Sequence, residues 1–119
     1  MSSTMTVRDH IESIRREVRD TDLLPDRAAE LLNQLSALLG NVLDEIRDAD
    51  MDYAVVLLKH LDSEEAANRA KIRAQTTPEY LRSREARDTK EIVVELARSL
   101  KYFLKVKEEE MRLSRYQRA

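Results

Sequence analysis

Seven apolar side chains, Ala28, Leu32, Leu35, Leu39, Val42, Ile46 and Ala49, recur at spacings of 4, 3, 4, 3, 4 and 3. This is the a/d seam of a helix that packs lengthwise against another helix, and it persists for three heptads. Leu31 and Leu38 widen the seam on one side. A strand would need alternation with a period of two, which is absent. The rest of the chain agrees with a helical reading, because one Gly and two Pro in 119 residues leave little for tight turns or phosphate-cradling loops.

The two prolines mark helix starts. Pro fits the first turn of a helix and not its interior, so Leu23-Leu24-Pro25-Asp26 ends one helix and begins another. Thr77-Pro78-Glu79 does the same, with Thr77 as N-cap. Upstream, Val7, Ile11, Ile14 and Val18 form a narrow apolar stripe, and Thr6 with Asp9 has N-cap spacing. The expected helices are therefore about 6–20, 26–75 and 78–117. Extending the seam gives Tyr53, Val56, His60, Ser63, Ala67, Ala70 and Ala74, which favours one long second helix to about Gln75. A break near Asp50 is the competitor, because Asp is poor in helix interiors. The last helix, about 60 Å long at 1.5 Å per residue, is charged early and apolar on two stripes later: Ile92, Val93, Leu96, Ala97, Leu100, Phe103, Leu104 and Val106.

The expected fold class is thus all-α. The architecture is a single domain, 1–119: a long, coiled-coil-like antiparallel helical hairpin with a short N-terminal helix packed near its open end. Charge supports the antiparallel sense: residues 1–60 carry 7 basic and 12 acidic side chains, and residues 61–119 carry 14 and 11. A lone hairpin would leave Leu31, Leu38, Leu57, Leu61 and the second stripe of the last helix wet, so a homo-oligomeric bundle is expected. The assembly seam is then Leu32, Leu35, Leu39, Val42, Ile46, Leu96, Leu100 and Phe103. A chain broken near Asp50 would instead make a compact monomeric four-helix bundle. Gly40, inside the seam, reads as a point of close helix packing.

Several chemistries are disfavoured. With no Cys and two His, His10 and His60, there is no disulfide framework, thiolate chemistry or zinc-ligand spacing. The longest apolar run is Ala54-Val55-Val56-Leu57-Leu58, far below the roughly 18 residues a membrane span needs, and no signal-peptide core is seen. The expectation is a cytoplasmic protein that binds no membrane and needs no cofactor. Asp48-x-Asp50-x-Asp52 opens like a calcium loop, but Tyr53 replaces the turn Gly and Lys59 the closing Glu, so no metal site is read there.

Two other patterns carry chemistry. On the last helix Arg98, Lys101, Lys105, Arg112 and Arg115, with Glu108 intervening, share one face, flanked by Tyr102 and Tyr116, with Arg69 and Arg73 on another helix. Such a strip could neutralise phosphates while tyrosines stack on unpaired bases, giving a nucleic-acid-binding accessory protein as one alternative. A net charge of −2 weighs toward an ordinary solvated face. The second pattern is Asp62-x-x-Glu65 followed by Glu85-x-x-Asp88, two carboxylate pairs at i and i+3 that could hold magnesium against a nucleotide. With Ile92-Val93-Val94-Glu95-Leu96-Ala97 after it, this resembles the all-alpha nucleoside triphosphate pyrophosphohydrolase family, whose motif is Glu-x-x-Glu then Glu-x-x-Asp. That resemblance implies metal-dependent nucleotide hydrolysis with Asp62, Glu65, Glu85 and Asp88 as ligands, although Asp62 stands where the family has Glu.

Residues 57–117 also resemble small all-helical proteins encoded by tailed bacteriophages. The shared features are an Ala-studded helix (Ala66, Ala67, Ala70), Tyr80 shortly after a turn, a charged stretch, and a Leu-rich helix ending in Lys, Glu, Met and Arg. The resemblance implies an accessory or inhibitory role in phage DNA replication or recombination, within the host cytoplasm. The leading expectation is a non-enzymatic helical interaction and assembly protein, self-associating and binding a protein partner, with no catalytic residue.

Overall fold

The computed structural model describes residues 5–63 and 66–117. The protein is all-α, with helices α1 (Val7–Asp20), α2 (Pro25–Asp62), α3 (Ala67–Ala74) and α4 (Pro78–Gln117), and no strand among the described residues.

The helix ends follow from local chemistry. At α1 the Thr6 hydroxyl accepts from the Asp9 N–H and the Asp9 carboxylate accepts from the Thr6 N–H, both at 3.1 Å, a reciprocal capping box. The helix closes where the Thr21 N–H and hydroxyl both donate to the Glu17 carbonyl, at 3.1 and 2.6 Å. Pro25 takes the first turn of α2, where its missing N–H costs nothing. At α4 the Thr77 hydroxyl accepts from the Tyr80 N–H at 3.4 Å and donates to the Ala74 carbonyl at 2.5 Å, so one side chain links the end of α3 to the start of α4.

The second helix differs from the sequence expectation in one respect. It passes unbroken through Asp48–Asp52, so the chain does not break near Asp50. It stops at Asp62, however, rather than running to Gln75, and α3 is a separate helix. Ser63 donates its hydroxyl to the His60 carbonyl at 2.8 Å. Asp and Ser offer the backbone such local alternatives and so weaken helix propagation, and two successive short polar residues end α2 where the seam pattern alone would continue it.

The chain forms two compact units, each of three helical segments. One comprises α1, α2 up to Leu39 and α4 from Ile92 onward. Its buried side chains are Ile11 and Ile14 of α1, Ala28, Leu31 and Leu35 of α2, and Val93 and Leu100 of α4. The other, Gly40–Glu91, comprises the remainder of α2, α3 and the start of α4. It buries Val42, Ala49, Ala70, Ala74 and Ala86 together with Ser83 and Thr89. Four alanines among five buried apolar residues mean that little area is removed from water per residue, so apolar burial contributes less in this unit than in the first.

Three-helix packing corrects parts of the sequence reading. Leu31, expected to stay wet in one chain, is fully buried, because a helix with two neighbours buries a wider stripe than a two-helix seam. Leu35, Val42 and Leu100, assigned to an assembly seam between chains, are buried within the single chain. Leu32, Leu39, Ile46, Leu96 and Phe103 are half-buried. Gly40 is exposed, and a Cβ placed on it meets nothing within 4 Å, so no neighbouring helix of this chain requires a glycine there. Urea unfolding checks both points. Leu31→Ala should lose about 2–5 kcal/mol of stability, whereas Gly40→Ala should gain about 1 kcal/mol from helix propensity alone.

Candidate interaction surface

A run of five apolar residues spans more than a full helical turn, so Ala54-Val55-Val56-Leu57-Leu58 must place apolar side chains on opposite sides of α2. The side that carries Val42, Ala49, Tyr53, Val56 and His60 is buried or half-buried. The opposite side, a strip about 120° wide at roughly 100° per residue, carries Leu43, Asp44, Arg47, Met51, Ala54, Val55, Leu58, Leu61 and Asp62, all exposed. Met51 is 64% exposed, Val55 53% and Leu58 58%. Scattered apolar residues are ordinary on a surface; a contiguous helical strip of them is not.

Polar contacts from α4 hold this stretch of α2 in place. Arg82 makes a two-pronged bond to Glu45, at 2.6 and 3.1 Å, and reaches Asp52 at 2.6 Å. The Ser83 hydroxyl donates to Asp50 at 2.6 Å, and Arg87 donates to the other oxygen of the same carboxylate. The rings of Tyr53 and Tyr80 lie 5.3 Å apart, tilted by 52°. The Arg82 guanidinium keeps the Glu45 carboxyl below its usual range, and its bond to Glu45 raises the Arg82 value in turn. The other unit has a similar link: Arg27 on α2 grips Glu17 on α1 through two nitrogens, at 2.6 and 2.7 Å, and reaches Glu30 at 2.9 Å. Glu17 is likewise held below the usual carboxyl range by Arg27.

The basic strip of α4 is laid out on one face. Within it Arg98 pairs with Glu95 at 2.8 Å and Arg112 with Glu109 at 3.0 Å. Lys101, Lys105 and Arg115 are exposed and make no ion pair among the described residues. Tyr102 and Tyr116 are 70% and 77% exposed and lie at the edge of that strip. Of the carboxylate set, Glu65 lies outside the described residues. Glu85 and Asp88 sit on the stretch of α4 whose Arg82, Ser83 and Arg87 bond Glu45, Asp50 and Asp52. Asp62 is ten residues beyond Asp52 on α2, about 15 Å along the axis, so it is not brought to them. Among the described residues no group of three or more His, Cys, Asp or Glu is gathered as metal ligands. No helix among the described residues is long and apolar enough to cross a membrane.

The first unit also holds a cleft of about 330 Å³ that no sequence motif marks; Val18, Thr21 and Asp22 line one side and Leu100, Phe103 and Lys107 the other. The Lys107 ammonium lies 5.7 Å from the centre of the Phe103 ring and 3.3 Å from Glu110. The lining residues are far apart in sequence, so their meeting has no local signal. The outward strip of α2 does have one, the five-residue apolar run, which the heptad reading passes over.

Fold and surface together define an all-α protein of two three-helix units. Compared with known proteins, the chain matches no family model, no curated protein and no solved structure.

The depressed carboxyls set an acid dependence. Glu17 and Glu45 have folded-state values below the ordinary 4.5, so their contribution is present above that pH and is lost as pH falls through the folded values. The melting temperature should therefore fall as pH drops below about 4.5, and Arg82→Met together with Arg27→Met should flatten that decline. An unchanged acid limb in the double variant would show that these pairs do not couple to folding.

Proposed function

We propose that this chain is a helical interaction and assembly protein whose work is done by binding protein surfaces and not by catalysis. The observation that carries the reading is the outward strip of α2, where Met51, Val55, Leu58 and Leu61 are exposed on the side away from the chain's own core. Burying such a strip is favourable by roughly 25 cal/mol per Å² of apolar area, which gives a partner a driving force that needs no further chemistry. The resemblance of residues 57–117 to small bacteriophage proteins suits an accessory or inhibitory role in phage DNA replication or recombination, in the host cytoplasm.

Light scattering on the eluting protein tests the reading. The mass should rise above 13.9 kDa as loading concentration increases, and Val55→Glu and Leu58→Glu together should hold it at 13.9 kDa at unchanged helicity. A wild-type monomer at every concentration would remove self-assembly from the reading.

A second reading rests on Lys101 and Lys105, which lack ion-pair partners among the described residues and lie beside the exposed Tyr102 and Tyr116. That combination suits a single-stranded nucleic acid, with cations on phosphates and tyrosines under bases. Anisotropy of a labelled single-stranded oligonucleotide at low salt should rise with protein, fall with added salt, and stay flat for Lys101→Glu with Lys105→Glu. Equal binding by the variant would end this reading.

A further inference from the structure

We infer that the outward strip of α2 binds the same strip of a second copy of this chain, antiparallel, about a twofold axis through the peptide between Ala54 and Val55. The inference deepens the assembly reading and rests on it. A twofold interface must be self-complementary: residue i of one copy meets residue j of the other, and j meets i. The stretch from Arg47 to Asp62 has that symmetry about one point, although at its edge Leu61 falls opposite Asp48. Met51 and Leu58 are equidistant from the 54–55 peptide, Ala54 and Val55 adjoin it, and Arg47 and Asp62 flank it at equal distances with opposite charge. Laid antiparallel on its own copy, the strip sets Met51 on Leu58 and Arg47 on Asp62, each contact occurring twice.

Charge selects this arrangement. A parallel, in-register pair would set Arg47 beside Arg47 and Asp62 beside Asp62, which is repulsive at both ends. Within one chain Arg47 has only loose exposed contacts, at 3.4 Å to Asp44 and 3.9 Å to Asp48, so it can turn to a better-placed carboxylate at little cost. The contact area sets the strength. Arg47 to Asp62 is about 23 Å of helix, and one helical strip of that length offers less than the roughly 800 Å² per partner typical of tight complexes. The dimer should therefore be weak and concentration-dependent.

Sedimentation equilibrium from about 1 µM to about 1 mM, the span in which weak dimers form, tests this. The expected species are the 13.9 kDa chain and its dimer alone. Arg47→Glu and Asp62→Arg should each weaken dimerisation at least severalfold, and R47E/D62R together should restore it; both positions are exposed, so circular dichroism should be unchanged. Because the chain has no Cys, Met51→Cys and Leu58→Cys proteins can be mixed and oxidised, and the mixed M51C to L58C disulfide should dominate over either homodimer. A wild-type monomer at the highest concentration would overturn both this inference and self-assembly. An oligomer larger than a dimer, a charge swap that fails to rescue, or a dominant M51C homodimer would overturn the antiparallel pairing alone.

Discussion

A helix nearly forty residues long cannot bury more than one stripe against a single partner, and α2 and α4 both reach that length. Packing them on each other satisfies one stripe of each and leaves the flanks wet. The shorter helices supply the third wall: α1 joins the segments that contain Leu31 and Leu100, and α3 joins those that contain Ala49 and Ala86. Even so, three walls do not cover a helix that is apolar on opposite sides. The surplus of α2, at Met51, Val55 and Leu58, is what gives this fold a surface to offer.

The two units are held differently. The first buries Ile11, Leu31, Leu35 and Leu100, large side chains whose removal from water supplies most of the driving force. The second buries mainly alanines, which let helices approach closely and yield little apolar area. It compensates with a joined set of polar contacts in which Arg82 spans Glu45 and Asp52 while Asp50 takes both Ser83 and Arg87. Isolated exposed pairs contribute little, but donors shared among carboxylates in fixed geometry contribute more than separate pairs would.

Much of the fold is legible in the sequence because its signals are local. Pro25, Pro78, Thr77 and the Thr6–Asp9 pair act within one turn of themselves, and the starts of α1, α2 and α4 fall where they point. The stop at Asp62 is harder to read, because a periodic apolar pattern outweighs two short polar residues on paper, while in the chain the Ser63 hydroxyl takes a helix carbonyl. Leu31 and Gly40 mislead for a different reason. Whether a heptad position is central, flanking or outward depends on how many helices surround it, and periodicity carries no count of neighbours. The same limit blurs the outward strip of α2: the apolar run Ala54-Val55-Val56-Leu57-Leu58 signals a helix apolar on two sides, but not which side faces the core. The cleft beside Phe103 is lined by residues as far apart in sequence as Asp22 and Lys107, which no spacing rule brings together.

The apolar pattern has an ambiguity that the polar contacts remove. Leu35, Val42 and Ala49 are buried seven residues apart, and so are Ala86, Val93 and Leu100. Sliding α4 along α2 by one heptad, about 10 Å, would put apolar side chains against apolar side chains again, so burial alone discriminates poorly among slipped alignments. Asp50 does not permit the slip. Half-buried, it needs the Ser83 hydroxyl and the Arg87 guanidinium together. A shift of seven residues would replace that pair with Thr76 and Tyr80 in one direction, and with Lys90 and Val94 in the other. The first pair brings no cation, and the second sets an apolar side chain where the guanidinium belongs. A carboxylate thus acts as a vernier on two otherwise repetitive helices, fixing a single alignment during folding at some cost in burial.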